Sequence, residues 1–432
     1  MPRFFKNPKP HFDPTLASRV SAHADNVRAS DGKMAPDPPG GDLRRFLEPF
    51  APVFGRRDRF ERCVQYVSGI LRPGNRNSVR RIAANTGGDA EALHHFVNQS
   101  PWNHGAVLER LRACTCQQKP RRPAVLILHE WIVRKRSWHT VGVARHHNEM
   151  SWNFYFSPRI DSPPRTSVGQ LAPTWFWTDG PTCLPVATQL YLPPEWANRQ
   201  RSLAAAGVPA RDCRAADRRG LAMALLAKVV DQLPPVRAVV FDTYCGGHFQ
   251  FLADLEHRNI PYLAQVRRHH PPVAPIKCYA VPASVRRSRR QWWASRGLGY
   301  KKWLLQVTEA HDRWLPFDEP AANGPPQALF AEHLDTIPLV ACSRTPTKKR
   351  WIIFVRDDAE DPEVFTWDAY VSNLPAETRP TEFADLIRLF RTTKANQTAH
   401  QSRLGIGHFE GRSWRGIHHH LVLSLLAGVF LE

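Results

Sequence analysis

Residues 238–247, AVVFDTYCGG, decide how this chain is read. The run AVVF is too short and too apolar for an amphipathic helix and suits a buried strand, and it ends on Asp242. Cys245, Gly246 and Gly247 then supply a turn. A carboxylate at the end of a buried strand, facing a glycine-containing loop, is placed to hold a metal. The same residue type is also an ordinary helix cap or turn residue.

Reading outward, strands and helices alternate. A helix covers 221–230 before this strand, a second helix runs through 249–257, and a strand follows at 262–266. Upstream, a basic, proline-containing joint (QQKPRRPA, 117–124) leads into AVLIL (124–128), another short buried strand. Further strands are expected at 139–144 and 184–193. Residues 267–350 are proline-rich and β-leaning, with WLLQV (303–307) and IPLVAC (337–342) as strands, followed by WIIFV (351–355) and FTWDAYVSN (365–373). Two helices close the chain, over about 382–398 and about 414–431. The order predicts an α/β layer carrying an insertion.

The N-terminal part differs. Residues 1–40 combine proline, charge and small residues with no apolar period, as in a disordered arm. Over 41–117 apolar residues recur at helical spacing, for example Phe60, Val64, Val67 and Leu71. Pro73-Gly74 and Gly87-Gly88 break the helices, Asp89 suits an N-cap, and so does Asn77 or Ser78. Two short helices joined at Gly87-Gly88 resemble a helix-turn-helix, and they read equally as part of a plain helical bundle.

The charge is extreme. In 432 residues, 59 Lys and Arg face 39 Asp and Glu, a formal net charge of +20. Such an excess costs self-repulsion and points to a polyanion, nucleic acid first; the codon bias of a GC-rich genome is the bland alternative. Arg56, Arg57, Arg59, Arg80 and Arg81 form a basic face on the N-terminal helices. RRHH (267–270) and VRRSRRQWW (285–293) mix cations with aromatics, so Arg267, Arg268, Arg286, Arg287, Arg289 and Arg290 suit phosphate contact beside base stacking, or else a solvated basic loop. The eight cysteines are scattered without a CxxC pair, which fits reduced, mostly buried thiols rather than a zinc knuckle. The first residues lack a signal-peptide core, and the longest apolar run, 421–431, is too short to span a bilayer. His418, His419 and His420 fan out around a helix over about 200° and cannot chelate one ion together.

Eight segments stand in a telling order: FERCVQYVSGIL, ALHHFVNQSPWNHGAVLERLR, TVGVARHH, QLYLPPEWA, AGVPA, AVVFDTYCGG, VSNLPAETRP and HFEGRSWRGIHHHLVLSLLA. Together, from about residue 58 onward, the chain resembles bacterial insertion-sequence transposases of the DDE type, in the group catalogued as insertion sequence seven-hundred-one, near the insertion-sequence-four group. The resemblance implies an RNase H-like core over 118–432 with a β-rich insertion near 267–350, preceded by an all-α DNA-binding domain over 41–117. It implies a bacterial, cytoplasmic, DNA-associated protein whose partner is double-stranded transposon-end DNA, allows a homodimer, and gives no role for a membrane. It also implies three carboxylates, on a strand, a strand and a helix, that hold two Mg²⁺ ions (or Mn²⁺) for in-line attack on a DNA phosphate.

Against that pattern the middle position is intact as Asp242. At the first position the family reads Asp-Asp-Thr-Gly. Counting back from Thr140-Val141-Gly142 puts His129 and Glu130 over the two aspartates. His129 is a poor Mg²⁺ ligand, better suited to Mn²⁺ or Zn²⁺. Glu130 could serve as a metal ligand through its extra methylene, although neighbouring strand residues point to opposite faces. At the third position residues 386–409 contain no Asp or Glu, and the expected glutamate falls between Lys394 and Gln397. Asp385 and Glu382 lie turns upstream, and Glu410 survives in the motif that follows. Three readings stay open: a DNA-binding relative that no longer cuts and needs no metal, a decayed element, and a divergent active site assembled from Glu130, Asp242 and Glu410.

Overall fold

The computed structural model describes residues 40–72, 77–117, 122–135, 137–147, 166–213, 217–267, 271–275, 302–317 apart from 305 and 308, 327–338, 347–357 and 367–431. Among these, eleven strands form one mixed sheet: β1 (Val125–Arg134), β2 (Ala144–His147), β3 (Thr166–Thr178), β4 (Cys183–Thr188), β5 (Val239–Phe241), β6 (Tyr262–Val266), β7 (Val273–Pro275), β8 (Leu315–Phe317), β9 (Gln327–Pro338), β10 (Lys348–Asp357) and β11 (Trp367–Ser372). The order is β2-β3-β1-β5-β6-β11-β10-β9-β7, with β4 paired to β3 and β8 to β9. The expected arm over 1–40 lies outside the described residues.

The centre of the sheet is parallel. β1 pairs with β5 through Leu126↔Val239 and Ile127↔Val240, and β5 pairs with β6 through Val239↔Tyr262 and Phe241↔Ala264. These strands are short apolar runs because both faces are covered. Leu126, Leu128, Phe241 and Tyr262 face the helices Arg218–Val229 and Phe249–His257. Val125, Ile127, Val240 and Leu263 face the helix Pro380–Arg403 through Phe383, Ile387 and Phe390.

Several strand expectations need correction. Residues 139–142 form a turn closed by Gly142 at φ 77°, and the strand begins only at Ala144. The longest strand, β3, was not anticipated from the sequence, because Gly169 and Pro173 interrupt its apolar pattern. Gly169 is needed there: a Cβ would sit 2.3 Å from the Val133 carbonyl oxygen on β1. The described residues of WLLQV are helical, since 302–304 and 306–307 form turns that bury Trp303 and Val307. The strand expected over 337–342 lies upstream, as β9 ends at Pro338 and 339–342 fall outside the described residues.

The N-terminal helices are capped as the sequence predicts. Ser78 accepts from the Arg81 amide (3.4 Å), Asp89 accepts from the Glu91 amide (2.9 Å), and Gly87 at φ 65° closes the helix Val79–Thr86. These helices pack around the C-terminal helix Trp414–Leu431 in one apolar core that reaches Trp131 and Phe176 at the sheet. The three consecutive histidines are the polar stitches of this core, each pointing its own way. His420 accepts from the Tyr66 hydroxyl at Nδ1 (3.0 Å) and donates from Nε2 to the Gly405 carbonyl (3.2 Å). His418 accepts from the Leu190 amide at Nε2 (3.1 Å), so its Nδ1–H donates to the Trp414 carbonyl (2.8 Å). His419 lies between the carbonyls of Val97 (2.8 Å) and Trp102 (3.0 Å), an arrangement that a proton on each nitrogen would satisfy, yet burial and the nearby His104 and Arg415 push its pKa down to about 3. We take the neutral ring, which donates to one carbonyl only, because burial and two repelling groups outweigh one hydrogen bond.

Candidate functional site

Asp242 stands where β5 gives way to the helical turn Thr243–Gly246. Its Oδ1 accepts from the Tyr244 amide at 3.3 Å, and the residue is only 4% exposed. The turn lies tight against β6. A Cβ at Gly246 would come within 2.0 Å of the Gln265 carbonyl oxygen, so the glycine of the CGG motif is what lets the Asp242 loop close onto the sheet.

Carrying the register of β1 and β5 two residues on sets His129 level with Asp242. His129 shares strand parity with Val125 and Ile127, the face covered by Pro380–Arg403, and is buried. Its ring stacks edge-on against Trp131 at 4.6 Å, and neither ring nitrogen has a hydrogen-bond partner among the described residues. Burial pushes its pKa down to about 3; the Lys394 charge pushes the same way and Asp242 opposes. His129 is therefore a neutral imidazole.

The third side chain comes from the helix. Lys394 donates from Nζ to Asp242 Oδ2 at 2.9 Å, with its side chain 31% exposed and that of Asp242 5%. Lys394 is the first residue of the interval in which the missing glutamate was expected. The last, Gln397, is buried and reaches Cys183 Sγ at 3.8 Å. The upstream acids are committed elsewhere: Glu382 accepts from Arg237 (2.7 Å) and Asp385 from Arg388 (2.9 Å). One turn before Lys394, Arg391 donates to Asp368 on β11 (2.7 Å), so this helix meets the acids of the sheet with cations.

Glu130 points to the opposite face, as strand alternation requires. Arg218 grips both of its carboxylate oxygens, through Nε and a terminal nitrogen, with both side chains at least nine-tenths buried. The Arg218 guanidinium also lies 3.5 Å above the Tyr244 ring. Burial pushes the Glu130 pKa up and Arg218 opposes it. Glu410 is exposed on the segment before the C-terminal helix. Among the described residues no three His, Cys, Asp or Glu side chains gather where they could hold a metal, so Asp242, Glu130 and Glu410 are not brought together.

Arg56, Arg57, Arg80 and Arg81 are exposed on the N-terminal helices; Arg56 bonds Asp58 (2.9 Å) and Arg57 lies 4.0 Å from Glu61. Arg267 is half-buried just after β6, while Arg268, Arg286, Arg287, Arg289 and Arg290 lie outside the described residues. Lys394 and Arg218 were not anticipated as site residues. The acid-free stretch pointed to the place of Lys394, but nothing in sequence links Arg218 to Glu130, 88 residues away.

This donor set does not fit Mg²⁺. The ion needs several anionic or carbonyl oxygens to offset its dehydration, whereas the Asp242 carboxylate here meets an imidazole and an ammonium group. Mn²⁺ would accept the imidazole but is repelled by the same ammonium.

No helix among the described residues is long and apolar enough to cross a membrane. None of the curated proteins matches this chain. A family model described as DDE superfamily endonuclease matches residues 49–303, more than half of the 432 residues. The mixed α/β sheet accords with that match, and the chain belongs to the DDE superfamily endonuclease family.

Proposed function

We propose that this protein is a transposase-derived DNA-binding protein that no longer cuts DNA. The observation that carries the reading is the Lys394–Asp242 ion pair, which puts a cation against the one position of the three expected carboxylates that the sequence keeps intact. A second internal cation, Arg218, neutralises Glu130 on the other face. In this reading the sheet around β1, β5 and β6 is the RNase H-like core of an insertion-sequence transposase. The helices of 41–117 present Arg56, Arg57, Arg80 and Arg81 to duplex DNA of a transposon-end type, and the arginines of 267–290 add phosphate contacts.

The charge balance supports the loss of cutting. An ammonium group about 4 Å from a divalent ion opposes it by about 8 kcal/mol at an effective dielectric of about 20, twice the unit-charge value. The +20 net charge supports retained DNA binding, since each neutralised phosphate releases counterions. The test is duplex binding across a salt series, together with strand cleavage of supercoiled DNA in Mg²⁺ and in Mn²⁺. We expect binding that weakens steeply with salt and no cleavage. Robust Mg²⁺-dependent cleavage that disappears in Asp242→Ala would overturn the proposal.

A further inference from the structure

A groove of about 880 Å³ opens between the start of the helix His104–Gln117, the segment 207–212, the end of the helix Arg218–Val229 and the start of Trp414–Leu431. It is far larger than two further cavities along the C-terminal helix, which are of about 10 and 20 Å³. None of the residues singled out from the sequence as catalytic or DNA-binding lines it, whereas two of the histidines stitched into the core, His418 and His419, do.

Its walls carry an excess of positive charge. Arg112, Arg211, Lys228 and Arg415 line it against two acids, Glu109 and Asp212. Those acids are weakly matched: Glu109 lies 3.9 Å from Arg112 and Asp212 lies 3.8 Å from Arg211. Arg112 is the telling cation. Its side chain is 14% exposed, and its shortest contact is a hydrogen bond to the Val186 carbonyl (2.7 Å). A guanidinium held largely by a backbone oxygen keeps most of its charge for an anion, and buried charge is normally matched. Arg415 is likewise held by a backbone carbonyl, that of Gln99 (2.8 Å), and Lys228 is exposed with no ion pair among the described residues. The field reaches the floor. Burial first, then His418 and Arg211, hold the His104 pKa down to about 3.

The large floor rings are buried. Trp102 lies between His419 at 3.6 Å and Phe96 at 5.6 Å, and Trp102 and Trp414 are each 4% exposed, so neither indole offers a face to stack a base. We infer that this groove binds the sugar-phosphate backbone of DNA, independent of base sequence, through Arg112, Arg211, Lys228 and Arg415. The inference rests on the DNA-binding reading above and adds to it a second contact surface, lined by neither Asp242 nor Arg56, Arg57, Arg80 and Arg81. A single strand and one strand of a duplex present the same chemistry.

The test uses the full chain, a fluorescent 12-nucleotide oligothymidylate, and a 12-base-pair duplex, each titrated from 50 to 300 mM salt. The variants are Lys228→Ala and the triple Lys228→Ala/Arg211→Ala/Arg415→Ala, with Arg258→Ala outside the groove as the control. Loss of one phosphate contact lowers the log–log salt slope by about 0.7 for a single strand or about 0.9 for a duplex, so the triple variant should lose about 2 to 3. Affinity should fall at least about tenfold at the low-salt end, from the same counterion release. A lowered slope on the oligothymidylate identifies a single strand as occupant, and one on the duplex alone identifies a duplex strand. Unchanged slopes on both probes in the triple variant, with wild type binding DNA, overturn the groove and leave the DNA-binding reading standing. Failure of the wild type to bind either probe at 50 mM overturns that reading itself. Lys228→Ala removes an exposed side chain, so its smaller slope change keeps the test sound even if the triple variant unfolds.

Discussion

Lys394→Glu should turn an internal ion pair into a metal site. In the wild type, Nζ lies 2.9 Å from Asp242 Oδ2, with Asp242 buried and Lys394 about one-third exposed. Removing one partner of a fully buried pair costs about 3–5 kcal/mol. Exposure of the lysine reduces this, and about 1–3 kcal/mol is a fair figure for Lys394→Met. In Lys394→Glu the two carboxylates also repel, so the metal-free variant should lose about 2–4 kcal/mol. Two carboxylates beside the neutral His129 then make a donor set that suits Mn²⁺ better than Mg²⁺. At a metal concentration of about 100 times Kd, binding to the folded state alone would return about 2.7 kcal/mol. The assay is urea unfolding with and without Mn²⁺ or Mg²⁺. We expect Lys394→Glu to be less stable than wild type without metal and to recover with Mn²⁺, while wild type and Lys394→Met do not respond. A Lys394→Glu midpoint that ignores both ions, or a wild-type midpoint that rises as much, would refute the idea that Lys394 is what keeps a metal out.

Other outcomes follow from the same geometry. Glu130→Gln leaves the Arg218 guanidinium buried without its carboxylate and should cost about 3–5 kcal/mol in urea unfolding, with little change in DNA affinity; a cost below about 1 kcal/mol would argue that the pair is not formed. Tyr66→Phe removes the hydroxyl that His420 accepts from and should cost about 1 kcal/mol, readable in the same assay. Stability should also fall with acid. His104, His129, His419 and His420 are held at about 3 and His418 at about 4, all by burial, against the ordinary histidine value of 6.5. The unfolded chain therefore takes up protons that the folded chain refuses, so the stability present above about pH 6.5 is lost as pH falls toward about 3, at up to about 1.4 kcal/mol per unit for each histidine. Urea midpoints that stay level between about pH 7 and 5 would contradict this.

The sequence by itself determined what depends on a few neighbouring residues. Short apolar runs such as AVVF and AVLIL suit strands buried on both faces, and these two are parallel neighbours at the centre of the sheet. Ser78, Asp89 and Gly87 cap their helices because capping needs only the next turn of backbone. The absence of Asp and Glu from 386–409 was legible as plain composition. Where local signals were mixed, the reading failed: Gly169 and Pro173 hid β3, and the apolar WLLQV proved helical.

Only the tertiary structure decided what fills the site. Lys394 meets Asp242 across 152 residues, and Arg218 meets Glu130 across 88. The three histidines find separate partners on other elements: the Tyr66 hydroxyl, the Leu190 amide and the carbonyls of Val97 and Trp102. Secondary structure is set by periods of about two and 3.6 residues along the chain. An ion pair or a buried hydrogen bond is set by which faces pack against each other, and that is fixed only when the sheet and helices close over one core.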